Sequence, residues 1–367
     1  MENLVLYRKY RPKTFSEVIG QEHVVQTLTN GILTGMISHA YLFAGPRGSG
    51  KTTIARLLAK ALNCENDKTF EPCNRCSSCL EINDNRSIDL IEIDAASNRG
   101  IDDIRELRDG IRFSPVKSKY KVFIIDESHQ LTKEAANALL KTLEEPPAHA
   151  IFVLATTEIH KMIPTIISRC QRFDFRKLTL SEIVKRLEWI SKKEGIKVEK
   201  SALEFIALSA GGSIRDAEGL LDQALTFASN KIVKIQDLQD LLGMVDTLVI
   251  SQLVDFISEK KTTEAIEFLN KTLEKGYDPL ELNKALIKYL RQALLLRISP
   301  EFTNPVITGL TKEEQEKLHN QVKSFEEKDL SRILNLFLEA ENKMKYSPIP
   351  QLPLELAIIE ALQKEEK

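Results

Sequence analysis

The residues best suited to chemistry are in the run Gly45-Pro-Arg-Gly-Ser-Gly-Lys51-Thr52, which matches the pattern G-x-x-x-x-G-K-[ST]. That pattern binds nucleotide phosphates when it follows a strand and opens a helix. Here the apolar run Ala40–Ala44 precedes it and the helical pattern Thr52–Leu62 follows it. Because glycines let backbone N–H groups converge on a phosphate, we predict that Lys51 reaches the β- and γ-phosphates and that Thr52 binds Mg²⁺. The predicted nucleotide contacts here are Gly45, Gly48, Ser49, Gly50, Lys51, Thr52 and Thr53.

A second candidate element is the stretch Lys121-Val-Phe-Ile-Ile-Asp126-Glu127, an apolar strand that ends in two adjacent carboxylates. At the end of a strand beside a phosphate loop, Asp126 is placed to bind Mg²⁺ and Glu127 to polarise an attacking water. Two acids can also end a strand without any function. Because the phosphate loop is intact, we favour the functional reading and predict hydrolysis rather than nucleotide storage.

The strand Ile151–Ala155 ends in Thr156-Thr157. A hydroxyl at this point is able to hold the attacking water or to contact the γ-phosphate. Threonine is also an ordinary strand residue. These residues alone leave both interpretations open.

Four of the five cysteines lie within 16 residues, in the order Cys64, Cys73, Cys76 and Cys79. Four thiolates fill all positions of tetrahedral Zn²⁺, so we predict a structural rather than a catalytic zinc site. An Fe–S cluster is the main alternative, although nothing else in the chain indicates redox chemistry. The odd number of cysteines argues against a disulfide framework.

Positioning these groups requires a sheet with helices on its faces. Short apolar runs alternate with helical patterns in the first half of the chain, which indicates an α/β domain with a parallel, doubly wound sheet. The predicted strands are Ala40–Ala44, Asp89–Ile93, Lys121–Ile125, Ile151–Ala155 and Arg172–Phe175. The predicted helices between them are Thr52–Leu62, Ile101–Arg112, Lys133–Leu143 and Thr165–Ile167.

From about residue 179 onward the pattern is almost entirely helical. Thr179-Leu-Ser-Glu182 is a capping-box sequence that opens a helix continuing to Lys193. Longer helices are predicted at Asp278–Ile298 and Asp329–Tyr346. We expect three domains: an α/β domain with the inserted cysteine module (1–178), a small helical domain (179–243) and an all-helical domain (244–367).

Composition narrows the class of protein. The 367 residues include 51 Lys and Arg against 53 Asp and Glu, so any nucleic-acid contact has to come from a local patch. No apolar run is long enough to span a membrane, and the stretch from Met1 to Tyr10 lacks the apolar core of a signal peptide. We therefore expect a cytoplasmic protein that does not contact a membrane.

These motifs together resemble a known family, the γ/τ subunits of bacterial DNA polymerase III, which are clamp-loader ATPases of the AAA+ class. The resemblance rests on the phosphate loop, the four cysteines, VFIIDESHQLTKEAANALLKTLEEPP (122–147), IISRCQRF (166–173) and GGSIRDAEGLLDQ (211–223). It densely covers residues 1–243. It implies a RecA-like ATPase domain, a lid, and a helical collar that holds a ring of related subunits.

The resemblance also implies roles that the residues alone leave open. Arg11, Val18 and Ile19 are implied to pack on adenine, and Arg215 to reach the phosphates from the lid. Thr156 or Thr157 is implied to sense the γ-phosphate. Arg169, in Ser-Arg-Cys, is implied to enter the ATP site of a neighbouring subunit, and Cys170 to be a packing residue.

The implied ligands are ATP, Mg²⁺ and structural Zn²⁺. The implied partners are δ- and δ′-type subunits, further copies of this chain in a pentameric ring, the β sliding clamp and primed template DNA, at the replisome near the nucleoid. Arg105, Lys141 and Thr165 are candidates for contacts with the DNA backbone. Two alternatives differ in class: a non-hydrolysing structural subunit, which usually lacks an intact phosphate loop, and another AAA+ motor, which usually lacks a cysteine module.

Overall fold

The computed structural model describes residues 4–66, 69–97, 110–111, 113–227, 232–241, 246–299 and 312–363. The chain divides into two compact units, residues 1–232 and 233–367. Among the described residues, no helix is both long and apolar enough to cross a bilayer.

The first unit contains a five-stranded parallel sheet. Its strands are β1 (Ala40–Ala44), β2 (Leu90–Asp94), β3 (Lys121–Asp126), β4 (Ala150–Thr156) and β5 (Gln171–Asp174), in the order β2-β3-β4-β1-β5. β1, β3 and β4 are buried along almost their whole length, as expected of strands covered on both faces. The predicted strands are confirmed, with ends that differ by at most one residue.

Helices cover both faces of this sheet. They are α1 (Leu6–Lys9), α2 (Glu22–Thr34), α3 (Lys51–Leu62), α4 (Ser77–Asn83), α5 (Lys133–Glu144) and α6 (Pro164–Ile167), with single turns of 3₁₀-helix at Phe15–Glu17, Ser128–Gln130 and Ile159–Lys161. Because side chains alternate along a strand, Tyr41 and Phe43 of β1 pack towards α2 and α3, whereas Leu42 packs in the cluster of α5. The predicted helix 101–112 lies almost wholly outside the described residues.

Three further helices complete the first unit: α7 (Leu180–Glu194), α8 (Lys200–Ser209) and α9 (Ile214–Phe227). The capping box that the sequence predicts at the start of α7 is present, since Thr179 accepts a hydrogen bond from the Glu182 amide and Glu182 accepts one from the Thr179 amide. Gly195 ends α7 in the left-handed conformation, which glycine adopts at little cost.

The elements described for the second unit are all helices. Its helices are α10 (Ile235–Leu241), α11 (Thr247–Ser258), α12 (Thr262–Glu274), α13 (Pro279–Ile298), α14 (Lys312–Val322), α15 (Glu327–Met344) and α16 (Leu352–Leu362). Asp278 caps α13 by accepting hydrogen bonds from the amides of Leu280 and Glu281. Apolar side chains from α11 to α16 form one continuous core, so this unit has a hydrophobic core of its own.

Candidate functional site

The phosphate loop joins the carboxyl end of β1 to the start of α3. Gly48 and Gly50 have positive φ angles of 71° and 99°, and Gly50 precedes the first residue of α3. These conformations turn the loop around the helix N-terminus, where free backbone N–H groups favour an anion. The carboxyl ends of β1, β3 and β4 meet at the same edge of the sheet, which is where parallel α/β sheets bind ligands.

Lys51 and Thr52 open α3 and lie close to the carboxylates at the end of β3. The Lys51 ammonium donates to the carbonyls of Gly45 and Pro46, both at 2.8 Å, so it is held over the loop. Thr52 Oγ1 donates to Asp126 Oδ2 at 2.7 Å. Burial lowers the pKa of Lys51, although the charges of Glu127 and Asp126 oppose that shift. A hydroxyl beside a carboxylate is the donor pair that holds Mg²⁺ in phosphate-loop sites, so this pair fits the ion.

Glu127 has an unusual backbone conformation for a residue with a side chain. Its φ and ψ are 47° and 41°, in the left-handed region. Its carboxylate accepts hydrogen bonds from the hydroxyl of Thr157 at 2.8 Å and from the Thr157 amide at 3.3 Å. The residue proposed to polarise water is therefore oriented by a partner at the end of β4.

Thr156 and Thr157 point to different partners, as successive residues of a strand do. Thr156 is fully buried, and its hydroxyl lies 3.0 Å from His129 Nδ1 and accepts a hydrogen bond from the Glu158 amide. Thr157 instead contacts Glu127. The sequence leaves the two threonines equivalent, and this geometry favours Thr157 as the residue that acts at the site.

Most of the predicted nucleotide contacts line one cavity of about 500 Å³. Its wall includes Arg11, Val18, Ile19, Gly48, Ser49, Gly50, Lys51, Thr52, Thr53, Asp126, Glu127 and Arg215. Its volume is in the range of small-molecule sites, and it combines apolar side chains with a few charged groups. Gly45, Thr157 and Phe175 line a second, adjacent cavity of about 420 Å³.

The lid contacts the phosphate loop directly. The Ile214 amide, at the start of α9, donates to the Gly48 carbonyl at 3.3 Å. A Cβ atom at position 48 would lie 1.9 Å from the Ser213 hydroxyl, so this approach requires glycine. The Arg215 guanidinium lies over the ring of Tyr7, 5.1 Å from its centre. Arg215 therefore enters the cavity from the lid, where a nucleotide would meet it.

The four predicted metal ligands also lie together. The sulfur atoms of Cys64, Cys73, Cys76 and Cys79 are all within 4.8 Å of one another. Tetrahedral Zn–S bonds of about 2.3 Å place sulfurs about 3.8 Å apart, so small movements would close the site around zinc. The amides of Cys73, Cys76 and Cys79 point at the preceding thiols of the set, an arrangement that favours thiolates. Cys170 is remote from this group and packs in the apolar core beside α6.

Arg169, Lys141 and Thr165 are predicted to act outside the nucleotide cavity, and none of the three lines it. Arg169 follows α6 and donates to the Thr165 carbonyl at 2.8 Å and to Glu144 at 2.6 Å. It does not line the described nucleotide cavity, and its role in a neighbouring site stays a prediction. Lys141 and Thr165 are exposed, whereas Arg105 lies outside the described residues. Their roles in DNA contact stay predictions.

Sequence reasoning missed several residues that shape the cavity. Arg186 and Glu218 form an ion pair of 3.0 Å in which each side chain is 7% exposed, and both line the cavity. Burial raises the pKa of Glu218, and the Arg186 charge opposes that shift. Arg186 also donates to the Tyr10 carbonyl and lies 4.8 Å from the centre of the Trp189 ring.

A second missed residue is Gln21, which is 1% exposed. Its amide nitrogen donates to the carbonyls of Ser49 in the phosphate loop, at 3.3 Å, and of Arg176, at 2.8 Å. Its amide oxygen accepts a hydrogen bond from the Arg176 amide. Gln21 thus connects the phosphate loop to the segment leading into the lid. In the sequence, Gln21 is a single glutamine between Gly20 and the first residue of α2, and no motif marks it as a contact of the phosphate loop.

Family models match the chain in succession along its length. "DNA polymerase III, delta subunit" matches residues 20–179, "DNA polymerase III clamp loader subunit, ATPase lid domain" matches 182–230, and "DNA polymerase III subunits gamma and tau domain III" matches 233–366. The DNA polymerase III subunit gamma of Buchnera aphidicola subsp. Acyrthosiphon pisum is 39% identical over 366 residues, which cover 99% of both chains. The chain belongs to the DNA polymerase III gamma and tau family.

Members of this family differ in length. The DNA polymerase III subunit tau of Bacillus subtilis is 45% identical over 363 residues, 99% of this chain and 64% of its own length. This chain spans between 56% and 64% of the tau and gamma/tau relatives that it matches. A solved structure of the RuvB Holliday-junction branch-migration motor of Thermotoga maritima has a TM-score of 0.48 and is 21% identical, covering 67% of this chain and 78% of that one.

The family membership confirms the resemblance stated from the motifs. The predicted fold class is also confirmed: a RecA-like AAA+ domain with a parallel sheet, a helical lid and an all-helical C-terminal domain. The matched ranges join at residues 179–182 and 230–233, whereas the expected domain limits are at 178 and 243. The exact domain limits and the roles of the site residues stay predictions.

Proposed function

We propose that this chain is an ATP-hydrolysing subunit of a DNA polymerase III clamp loader, which uses ATP to place a sliding clamp on primed template DNA. The observation that carries this proposal is the convergence of Lys51, Thr52, Asp126 and Glu127 on one cavity. A subunit that only bound nucleotide, or that served as a structural member of the ring, would have no need of the oriented carboxylate of Glu127.

The residues divide the work of hydrolysis between them. Lys51 and the loop amides bind and orient the phosphates, and Thr52 with Asp126 would hold Mg²⁺, which would neutralise negative charge on the phosphate oxygens. Glu127 accepts a proton from the attacking water or orients it, and Thr157 fixes the position of its carboxylate. Arg215, from the lid, adds a guanidinium whose paired donors suit phosphate.

The base is expected at the apolar part of the same cavity. Val18, Ile19, Leu178 and Ile214 contribute apolar side chains to its wall, which suit the faces of a flat aromatic ring. Arg11 also lines the cavity, and burial and the nearby charge of Arg56 lower its pKa. Because a guanidinium stays protonated near neutral pH, Arg11 is able to lie against the base as a cation.

We propose that Arg169 completes the site of a neighbouring subunit. An arginine supplied in trans is worth roughly 10³–10⁵ in rate in related phosphoryl transfers. The isolated chain is then expected to hydrolyse ATP slowly, and much faster with δ- and δ′-type subunits, further copies of itself in a pentameric ring, the clamp and primed DNA. The same proposal places the protein in the cytoplasm, at the replisome.

The test is single-turnover ATP hydrolysis by the reconstituted complex with clamp and primed DNA. Lys51→Ala should abolish ATP binding and hydrolysis, and Glu127→Gln should retain binding while it loses hydrolysis. Lys271→Ala, which changes an exposed lysine of α12, is the matched control and should behave as the unaltered protein. Unchanged hydrolysis by Lys51→Ala would overturn the proposal.

A further inference from the structure

The cysteine module contacts the segment that leads to Val18 and Ile19. Glu71 lies between Cys64 and Cys73, and its two carboxylate oxygens accept hydrogen bonds from the amides of Phe15 and Ser16, both at 2.8 Å. These amides open the 3₁₀ turn Phe15–Glu17, whose own preceding residue, Thr14, makes no side-chain cap. A residue 55 or 56 positions away in sequence therefore caps this turn.

A second group of contacts joins the same two parts of the chain. The Asn74 side-chain amide, between Cys73 and Cys76, donates to the Lys13 carbonyl at 3.0 Å. Lys60, which is 2% exposed on α3, donates to that same carbonyl at 2.9 Å and to Asn83 at 2.8 Å. Its third hydrogen bond goes to Asn74, so all three donors of the ammonium are used.

The capped turn connects directly to the nucleotide cavity. Phe15 is 1% exposed in the core cluster that also contains α3, and Val18 packs against that cluster. Glu17, Val18 and Ile19 line the cavity. The position of this part of the wall is thus set by two anchors: the buried Phe15 side chain in the core and the hydrogen bonds from the Phe15 and Ser16 amides to Glu71.

We propose that the cysteine module acts as a support for the base-binding wall, with Glu71 as the positioning residue that transmits the fold of the module to Val18 and Ile19. The module would then affect binding of the nucleoside part of ATP and leave phosphate binding by Lys51 unchanged. This inference rests on the proposed ATP site.

The chemistry of the contact agrees with this role. A carboxylate that accepts two backbone N–H bonds at the start of a helical turn makes charge-assisted hydrogen bonds, which are about twice as strong as neutral ones. The bond from the Phe15 amide is part-buried, so solvent screens it only partly, whereas the bond from the Ser16 amide is exposed. Zinc would fix the sulfurs of the residues on either side of Glu71, and with them the direction from which its carboxylate approaches.

The test compares two probes by calorimetry on the full chain: Mg²⁺–ATP and Mg²⁺–tripolyphosphate, which has phosphates but no base. Glu71→Ala should weaken ATP binding by about tenfold, which is the effect of losing hydrogen bonds to a charged group. It should leave tripolyphosphate binding within about twofold of the unaltered protein, with one zinc per chain retained. Glu65→Ala is the matched control, because Glu65 belongs to the module but contacts Ser77 instead.

Hydrogen exchange provides a readout that does not depend on nucleotide. The amides of Phe15 and Ser16 should exchange faster in Glu71→Ala, and in Glu71→Gln, which can accept only one of the two bonds. Removal of zinc by chelation should produce the same pattern in the unaltered protein. ATP binding unchanged in Glu71→Ala, or ATP and tripolyphosphate weakened equally, would overturn the inference. Lys51→Ala tests the proposed ATP site separately from the role of Glu71. ATP binding that survives Lys51→Ala would contradict the ATP site itself.

Discussion

Glu144 accepts a hydrogen bond of 2.6 Å from the guanidinium of Arg169, so the arginine proposed to act in a neighbouring site is held by a carboxylate of its own chain. Arg169 also donates to the Thr165 carbonyl, and its side chain is 33% exposed. Glu144 is the last residue of α5, the helix that follows Asp126 and Glu127 by a short turn. Asp126 and Glu127 belong to the proposed nucleotide site of this chain, whereas Arg169, which Glu144 binds, belongs to the proposed site of a neighbouring subunit.

We expect Arg169→Ala to leave ATP binding intact and to reduce DNA-stimulated hydrolysis by the assembled complex at least about a hundredfold. Glu144→Ala should reduce hydrolysis less, by roughly tenfold, because the Arg169 guanidinium remains but loses its hydrogen bond to Glu144. If Glu144 acts through Arg169, the double variant should be no slower than Arg169→Ala. Additive losses in single-turnover assays would show that Glu144 has a separate role.

The neighbouring threonines of β4 should respond differently to the same substitution. Thr157→Val removes the hydrogen bond that orients Glu127, so we expect kcat to fall by roughly tenfold or more with little change in ATP affinity. Thr156→Val removes the acceptor of the Glu158 amide and the 3.0 Å contact to His129 Nδ1, and should cost about 1–3 kcal/mol of stability. Hydrolysis and urea unfolding measured on both variants distinguish these effects. A stable Thr156→Val with lost hydrolysis would reverse the assignment.

Loss of the metal should destabilise the first unit. The four cysteine sulfurs lie within 4.8 Å of one another, and without an ion the bonds that would join them are lost. We expect chelation of zinc, or Cys76→Ser, to lower the melting temperature measured by calorimetry. Cys170→Ala is the control, because it changes a cysteine outside the cluster without placing a hydroxyl in the apolar core. Elemental analysis that finds no metal in the purified protein would contradict the zinc site.

The start of α7 should confer a pH dependence on stability. Hydrogen bonding and ion pairing with Arg176 lower the pKa of Glu182 to about 2, against 4.5 for an ordinary glutamate. A lowered pKa in the folded state means that the carboxylate stabilises the fold above about pH 4.5, and that this contribution is lost as the pH falls towards 2. After discounting for solvent, the contribution is on the order of 1 kcal/mol.

Urea unfolding followed by circular dichroism at pH 6 and pH 3 tests this dependence. The difference in stability between the unaltered protein and Glu182→Gln should be largest at pH 6 and should shrink at pH 3. A difference that stays constant between the two pH values would show that the Arg176 pair does not contribute through the charge of Glu182.

The sequence predicts the sheet and the phosphate site well because both depend on local patterns. The apolar runs of β1, β3 and β4 are buried on both faces, and Lys51 and Thr52 occupy a motif whose geometry is set within eight residues. The four cysteines of the predicted zinc site are also close to one another in the sequence. Their clustering in sequence predicts their clustering in space.

Other parts of the site depend on contacts between distant parts of the chain. Gln21 contacts Arg176, 155 positions away, and Glu71 contacts Phe15, 56 positions away. An isolated polar residue in a loop carries no pattern that identifies its partner. The same limit applies to Thr156 and Thr157, because the choice between them depends on the orientation of the side chains at the end of one strand.

The position of Trp189 has a practical consequence. It is the only tryptophan of the sequence, it lies on α7, and its ring is 5.5 Å from that of Tyr10 in an edge-on arrangement. The Arg186 guanidinium that lies over it also lines the nucleotide cavity. Intrinsic tryptophan emission therefore comes from one indole whose cationic neighbour borders the binding site. Occupation of the cavity can be followed optically in the unlabelled protein, without attaching a dye.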